Sequence, residues 1–292
     1  MRPCADAWPR SSRHYDARRA QLGAIRAGSD RIVTDWLSYS LADFVPFSHA
    51  TYVRLFERYD ARFWPAVLVG VGVGLGSLWL LRRPERAPAG WSGVAGPGLG
   101  QGLGPGLAYG PASAWVLVAF GVCWGWIAWA FHWHSYASLN WAARYFAAAF
   151  ALQGVLLIVA GVGVGIRGDK QLAALAWDSL AWSGYGLIAF AVIGMPLLGF
   201  FVGLWPGGRA WFGLELFGSA PDPTAVATLG LMAIVRGCFA WVLVILPTLW
   251  CLISAATLAV LGDPLWPLPL LTVLMLALVA ANRRLFVSRL RD

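Results

Sequence analysis

Residues 237–261 read GCFAWVLVILPTLWCLISAATLAVL and contain no charged side chain. A helix that crosses the hydrocarbon core of a bilayer needs about 20 predominantly apolar residues, so this stretch predicts a membrane-spanning helix. Similar stretches recur along the chain of 292 residues, of which 59% are hydrophobic and only 12% are charged. A soluble domain typically carries about 25% charged residues. The composition therefore excludes a soluble globular protein and a disordered one, and it indicates an all-α, polytopic membrane protein.

The apolar stretches predict a transmembrane helical domain over residues 32–285. One of them, 223–235, measures about 20 Å as a helix and is too short to cross a core of about 30 Å unaided. A count of six spans is therefore an alternative to seven. The predicted spans are 63–81, 113–133, 143–166, 180–204, 223–235, 237–261 and 266–282.

Arginines at the ends of the spans predict the orientation of the chain. Four spans begin with Trp or Pro and end at arginine, namely at Arg82, Arg167, Arg236 and Arg283. Arginine beside a short loop marks the cytoplasmic side, so these four spans run from outside to inside and are the odd-numbered spans of seven. The N-terminus is then outside, and the basic tail 286–292 is cytoplasmic. This placement accounts for the net charge of +8 without a nucleic-acid partner.

Three further segments lie outside the predicted spans. Residues 1–31 are rich in arginine and predict a disordered tail or a spurious start. Residues 52–59 place Tyr52, Leu55, Phe56 and Tyr59 at positions i, i+3, i+4 and i+7, which predicts an amphipathic helix in the membrane interface. Residues 87–112 are dominated by Gly and Pro and predict a flexible linker. The linker lacks the Lys-Ser/Thr pair of a phosphate-binding Walker loop.

Aromatic and polar side chains gather around the turn between the second and third predicted spans. They form an aromatic belt at the membrane interface or, alternatively, a ligand pocket at the outer face with indole walls. A third interpretation is a metal or haem site at His132 and His134, although positions i and i+2 of one helix point apart. The candidate ligand-binding residues are Trp129, His132, Trp133, Tyr136, Asn140, Trp141 and Arg144.

A second group of candidate residues precedes and begins the short fifth span. The sequence PDPT at 221–224 predicts a turn and a helix start, with Asp222 as the N-cap and Pro223 at the first helical position. Where a helix starts inside the membrane, its N-terminus can face a binding cavity. The positive end of such a helix can hold an anion. Glu215 and Asp222 would repel an anion unless they are protonated, and they could equally bind a cation or a proton. Glu215, Asp222 and Thr224 are the candidates here.

The sequence contains no motif for a cofactor and no readable catalytic set. Its four cysteines form no CxxC pair, which is typical of buried free thiols. Three roles follow as hypotheses: a small-solute transporter or solute-binding membrane protein, a metal- or haem-dependent membrane enzyme, and a structural subunit of a membrane complex. The predicted partners are the lipid bilayer and a small-molecule ligand, with homo-oligomerisation or a membrane partner subunit left open.

Several short stretches together carry a resemblance to a known family. They are YVRLFERY at 52–59, WP at 64–65, AWAFHW at 128–133, Tyr136, NWAA at 140–143, YF at 145–146, FG at 217–218, PDPT at 221–224, ATLG at 227–230, Pro247 and LWC at 249–251. The set, spread over residues 34–285, resembles an uncharacterised bacterial family of multi-pass membrane proteins, often named "MFS transporter permease". The resemblance implies a bacterial inner-membrane protein and no established activity. Major-facilitator proteins have two six-helix halves, and this chain is too short for both.

Overall fold

The computed structural model describes residues 40–82, 111–167, 174–175, 179–204, 213–236 and 239–289. Residues 1–31 and the predicted linker up to residue 110 lie outside the described residues. The chain separates into two units, of which the first ends at Phe44. Its described part is a 3-10 turn, Leu41–Phe44, in which the backbone N–H and hydroxyl of Ser40 donate to Asp43 Oδ2 over 2.7 and 2.9 Å.

The second unit is helical, as the sequence predicts. A pair of two-residue strands is the exception, in which Ala174 and Leu175 lie opposite Arg236 and Val235. The helices of the described residues are α1 His49–Arg82, α2 Pro111–Trp126, α3 Ala143–Arg167, α4 Ser179–Ala189, α5 Met195–Gly203, α6 Pro221–Ile234, α7 Ala240–Leu261 and α8 Pro267–Arg289.

Five helical stretches of the described chain are long and apolar enough to cross a membrane. They lie in α1, in α2 with its continuation to Ser138, in α3, in α4 joined to α5, and in α7. This result is consistent with a membrane protein. The apolar part of α8, Pro267–Leu278, is shorter. α8 continues as helix to Arg289, so the first residues of the predicted basic tail 286–292 are helical.

The predicted amphipathic helix is helical but is not a separate element. Residues 52–59 form the first turns of α1, which continues to Arg82 with a local break at Phe63 (φ −118°, ψ 22°). Pro65 follows two residues later, and a proline inside a helix removes a backbone hydrogen bond and crowds the preceding turn. The four apolar residues of the pattern, Tyr52, Leu55, Phe56 and Tyr59, are buried. Their face therefore packs inside the protein.

Two helical stretches widen into π-helix. One is Ile127–Ser135, which continues α2 and leads into a 3-10 turn at Tyr136–Ser138. The other is Phe190–Gly194, which joins α4 to α5 just before Pro196. Pro196 has no N–H to donate to the preceding turn, which explains a loosened helix there. Short π-helical segments occur frequently at functional sites, and the first of these segments carries His132.

The short helix α6 is the centre of the bundle. Each of its 14 residues is buried, and it packs against α2, α4, α7 and α8. The segment before it, residues 213–220, is irregular and almost entirely buried. Gly218 in that segment has φ +79°, and a Cβ there would lie 2.7 Å from Gly70 Cα of α1. Only glycine allows the segment to approach α1 this closely.

Candidate functional site

The carboxylate of Asp222 is the best-defined polar group inside the bundle. Asp222 is only 1% exposed. Trp250 Nε1 donates to Oδ1 over 2.8 Å, and Ser254 Oγ donates to Oδ2 over 2.5 Å. Trp250 and Ser254 are four residues apart on α7 and therefore lie on one face of that helix. One face of α7 thus holds the carboxylate with two neutral donors.

The predicted role of Asp222 as the N-cap of the helix is wrong. The N-cap is Ala220, with extended backbone (φ −102°, ψ 146°), and Pro221 takes the first helical position. A proline fits that position because its missing N–H has no helical partner there in any case. Asp222 is consequently the second residue of α6, and its side chain bonds to α7 instead.

Thr224 organises the start of α6. Its hydroxyl accepts from the backbone N–H of Gly218 over 2.9 Å and donates to the carbonyl oxygen of Ala220 over 2.8 Å. These two contacts give Thr224, one of the predicted ligand-binding residues, a structural part. They tie the segment 213–220 to the first turn of α6 and so hold Asp222 in place.

The position of Trp250 locates the site along α7. Trp250 lies near the midpoint of α7, about 15 Å from either end at 1.5 Å per residue. In a spanning α7 this midpoint is near the middle of the bilayer. Through its bond to Trp250, the start of α6 lies level with this midpoint, and the 14 residues of α6 extend about 20 Å towards Arg236.

Asp222 lines a small cavity together with the other predicted acidic residue. This first cavity has a volume of about 20 Å³, and Glu215 and Asp222 are its acidic lining residues. Its apolar walls come from α5, from the end of α7 and from the start of α8, including Leu258 and Pro269. A cavity of about 10–15 Å³ is large enough for one water molecule. The first cavity therefore fits water beside two carboxyl groups.

A second cavity, of about 10 Å³, lies on the α7 side of the same site. Trp250 and Ser254, the two donors to Asp222, are part of its lining. The remaining wall is mostly aromatic and includes Tyr52, Tyr136 and Phe146. The donors to Asp222 therefore connect the carboxylate to a second, aromatic compartment.

His132 lies beside this aromatic compartment. It is fully buried (0% exposed), and neither ring nitrogen has a hydrogen-bond partner among the residues that the structure describes. Its imidazole is surrounded by aromatic rings at centroid distances from 4.4 to 6.0 Å. These distances are 4.4 Å to Phe150, 5.0 Å to Trp250, 5.2 Å to Phe131, and 6.0 Å to both Tyr136 and Phe146.

Further indole and phenol hydrogen bonds hold α6 and its preceding segment. Trp124 Nε1 donates to Thr228 Oγ1 over 2.8 Å. Trp126 Nε1 donates to Tyr59 Oη over 3.0 Å, and Tyr59 Oη donates to the carbonyl oxygen of Ser219 over 3.1 Å. These bonds fasten α6 and the irregular segment to α1 and α2.

The other predicted pocket residues divide into two groups. Tyr136 and Asn140 are buried near the site: Asn140 Nδ2 donates to Tyr136 Oη over 3.3 Å, and Asn140 Oδ1 accepts from the N–H of Ala142 over 2.9 Å. Asn140 thus positions a tyrosine of the second cavity. The remaining predicted residues are on the surface of the described chain. Among them, Cζ of the Arg144 guanidinium lies 5.6 Å from the ring centroid of Trp133. These exposed residues are Trp129, Trp133, Trp141 and Arg144.

The two histidines of the predicted metal site lie in different surroundings. His132 is buried, whereas His134 is exposed and contacts the ring of Trp129 at 4.9 Å. Within the described ranges, no group of three or more His, Cys, Asp or Glu side chains could hold a metal ion. Cys123 and Cys251 are buried free thiols, as predicted. Cys4 and Cys238 lie outside the described residues.

Sequence reasoning missed the two donors on α7. Trp250 was a signal, because tryptophan favours the membrane interface and this one lies in the middle of a predicted span. Ser254, one helical turn later, is a polar residue in the same apolar stretch. Such a pair predicts a polar contact inside the bundle. It does not identify the partner, Asp222, which is 28 residues from Trp250 and 32 residues from Ser254 in the sequence.

A family model described as "Family of unknown function (DUF6064)" matches residues 110–291. Its range includes α2 to α8 and therefore His132, Asp222, Trp250 and Ser254. The match agrees with the predicted resemblance to an uncharacterised family, and its description mentions neither a membrane nor transport. Comparisons with curated proteins and with solved structures find no match to the chain.

Proposed function

We propose that this chain, which belongs to the family of unknown function DUF6064, is a proton-coupled membrane transporter of a small solute. The observation that carries the proposal is the carboxylate of Asp222, held by Trp250 at the midpoint of α7. An ionisable side chain at this depth is energetically costly and marks a functional site by default, in particular a proton or ion pathway. Asp222 is the group that binds and releases the coupling proton.

The short helix supports transport rather than a purely structural role. Transporters typically place their ion and substrate sites near the midplane, on discontinuous helices. Irregular backbone at membrane depth is tolerated where it is buried in protein or lines a cavity. The buried segment 213–220 followed by α6 has both properties, because Glu215 in that segment and Asp222 in α6 line the first cavity.

The donor set favours a proton over a metal cation. An N–H group and an O–H group point at the two carboxylate oxygens, whereas hard metal cations require several oxygen ligands. The two cavities, of about 20 and 10 Å³, have room for water rather than for a hydrated ion. The solute site therefore opens in another conformation of the transport cycle, in which one part of the bundle moves against the rest.

We further propose seven crossings of the bacterial inner membrane, with the C-terminus in the cytoplasm. Residues 213–220 and α6 together make the fifth crossing, which removes the difficulty that α6 alone is too short. In this orientation the first cavity opens towards the outer side, because its wall includes the turn before α8. A cytoplasmic reporter should be active when fused after residue 168 and inactive after residue 208. The reverse pattern would invert the topology.

The proton site can be tested on the reconstituted full-length protein with two readouts. Dicyclohexylcarbodiimide reacts with protonated carboxyl groups in apolar surroundings, so it should label Asp222, as mapped by mass spectrometry. In liposomes that contain a pH-sensitive dye, a potassium diffusion potential should drive proton entry, recorded with and without a panel of small solutes. Asp222→Asn should abolish the label and reduce proton entry at least tenfold.

Asp43→Asn is the matched control, because Asp43 is an exposed carboxylate. This variant should leave both readouts unchanged. Protection of Asp222 by Na⁺ at constant pH would reassign the coupling ion. Equal proton entry for the wild type and Asp222→Asn would overturn the proposal. Copurification of a stoichiometric partner without any flux would favour the structural-subunit hypothesis, and a bound metal or chromophore would favour the enzyme hypothesis.

A further inference from the structure

We infer that His132 is a second proton-binding residue, which exchanges a proton with Asp222 through Ser254 and water in the second cavity. This inference rests on the proposed function and extends it from one proton site to a relay of two. It starts from His132 itself, a fully buried imidazole whose two nitrogens have no hydrogen-bond partner among the described residues.

A buried imidazole without partners is costly. Most buried polar side chains in proteins have at least one hydrogen-bond partner, and exceptions call for a functional explanation. Phenylalanine would fill a similar space among the same rings without this cost. Imidazole differs from phenylalanine in that it can take up and release a proton near neutral pH. A proton carrier is therefore the role for which this position needs histidine.

The rings around His132 lie within the distance over which aromatic rings interact with a cation. Five aromatic side chains surround the imidazole, and the two nearest ring centroids are those of Phe150 at 4.4 Å and Trp250 at 5.0 Å. Aromatic faces attract cations within about 6 Å of the ring centroid, and more strongly where water is excluded. The aromatic box thus offers an imidazolium some compensation for leaving water.

Trp250 and Ser254 connect the box to the carboxylate. Trp250 contacts both groups, through its N–H to Asp222 and through its ring to His132. Ser254 donates to Asp222 over 2.5 Å and lines the second cavity. Tyr136, Phe146 and Trp250 belong both to the wall of this cavity and to the box. A water molecule in the cavity would therefore lie between Ser254 and the rings that enclose His132.

The transfer is a proton relay in which no heavy atom is exchanged. The protonated carboxyl of Asp222 gives its proton to the hydroxyl oxygen of Ser254, and the Ser254 hydroxyl gives its own proton to the water. His132 is not itself part of the cavity wall, so a side chain of the box moves aside before the water passes a proton to a ring nitrogen of His132. The result is an Asp222 carboxylate, a His132 imidazolium, and an unchanged serine and water. The reverse sequence restores the first state.

The relay can be tested by proton entry into liposomes under a potassium diffusion potential, with carbodiimide labelling of Asp222 as the second readout. His132→Gln and Ser254→Ala should each reduce proton entry at least tenfold while Asp222 is still labelled. Ser254→Thr keeps the hydroxyl and should retain at least half of the wild-type rate. His134→Gln is the matched control, an exposed histidine two residues away, and should behave as wild type.

This combination separates a relay from a structural role and from failure of the proposed function. A structural defect at residue 132 would lower labelling, proton entry and thermal stability together, so His132→Phe is measured as well, since it fills the box without a titratable group. Wild-type proton entry in His132→Gln or His132→Phe would overturn the relay, even where Asp222→Asn is inactive. Wild-type entry in Asp222→Asn would overturn the proposed function first.

Discussion

His49 Nε2 lies 3.1 Å from Asp263 Oδ2, and this contact joins the start of α1 to the turn between α7 and α8. Asp263 is 3% exposed, and its other oxygen accepts from the backbone N–H of Leu265 over 2.8 Å. Leu265 is also part of the wall of the first cavity. The pair therefore stabilises the end of the bundle through which we expect Asp222 to be reached.

Asp263 should contribute more to stability than His49 does. His49→Ala removes one partly exposed contact, for which about 0.2–1 kcal/mol is typical. Asp263→Ala also removes the acceptor of the Leu265 N–H, which adds about 1 kcal/mol. Denaturant unfolding in detergent of the two single variants and the double variant would measure both effects. Strictly additive losses would show that the two side chains do not interact.

Close packing of two glycines should make α6 sensitive to single methyl groups. A Cβ on Gly184 would lie 2.6 Å from the carbonyl oxygen of Gly230, and a Cβ on Gly230 would lie 2.7 Å from that of Gly184. Small residues allow such approaches between membrane helices. Gly230→Ala should therefore reduce the free energy of unfolding by about 1–3 kcal/mol.

The matched control for this packing is Gly186→Ala in α4, where a Cβ would meet no atom within 4 Å. That variant should be neutral or stabilised by up to about 1 kcal/mol, because alanine favours helix more than glycine does. Both changes can be followed by thermal unfolding in the same detergent. Equal stabilities of Gly230→Ala and Gly186→Ala would contradict the packing argument.

Hydropathy predicted the helices well because a continuous apolar stretch is a local property of the sequence. The prediction was poorer where one local pattern is compatible with two structures. Both Pro221 and Pro223 can occupy the first position of a helix. In the structure Pro221 occupies it, so Asp222 lies inside the helix and is not the N-cap. Residues 52–59 are helical as part of α1, and the four apolar residues of the pattern share one buried face. The pattern could not indicate that protein rather than the membrane interface covers that face.

The site depends on contacts that are distant in sequence, and this limits its prediction. Asp222 and His132 were both recognised as candidates, but the residue that contacts both, Trp250, was not. Composition alone cannot distinguish inward from outward aromatic residues along α2 and its π-helical continuation. There His132 and Phe131 point into the bundle, whereas Trp129 and Trp133 are exposed. The π-helical widening shifts the side-chain positions away from the usual helical period.

The hydrogen bond between Trp124 and Thr228 should be important for the stability of α6. Thr228 Oγ1 accepts from Trp124 Nε1 over 2.8 Å and donates to the carbonyl oxygen of Thr224 over 2.7 Å. Thr228→Val keeps the shape but leaves the buried indole N–H without this acceptor, at a cost of about 1–3 kcal/mol. Thr228→Ser keeps the hydroxyl and should lose less.

The control for this bond is Thr257→Val, because the Thr257 hydroxyl donates to the backbone of its own helix, at the carbonyl oxygen of Ile253. This substitution should change the free energy of unfolding by less than about 0.5 kcal/mol. Unfolding in detergent, with indole fluorescence as the signal, measures all three variants. Thr228→Val at wild-type stability would mean that the indole N–H has found another acceptor.

Replacement of His132 by phenylalanine should make the protein more stable and less active. The imidazole is buried among aromatic rings with both nitrogens unpartnered within the described chain, and an unsatisfied buried polar group costs about 1–3 kcal/mol. A phenyl ring removes that cost and is close in size, so we expect a gain of about 1 kcal/mol, measured by thermal unfolding. His134→Phe, on the exposed side, should change stability little. Gains in stability at the expense of function are typical of residues that a protein keeps for their chemistry. A loss of stability in His132→Phe would contradict this expectation and would mean that the imidazole makes a stabilising contact that a phenyl ring cannot replace.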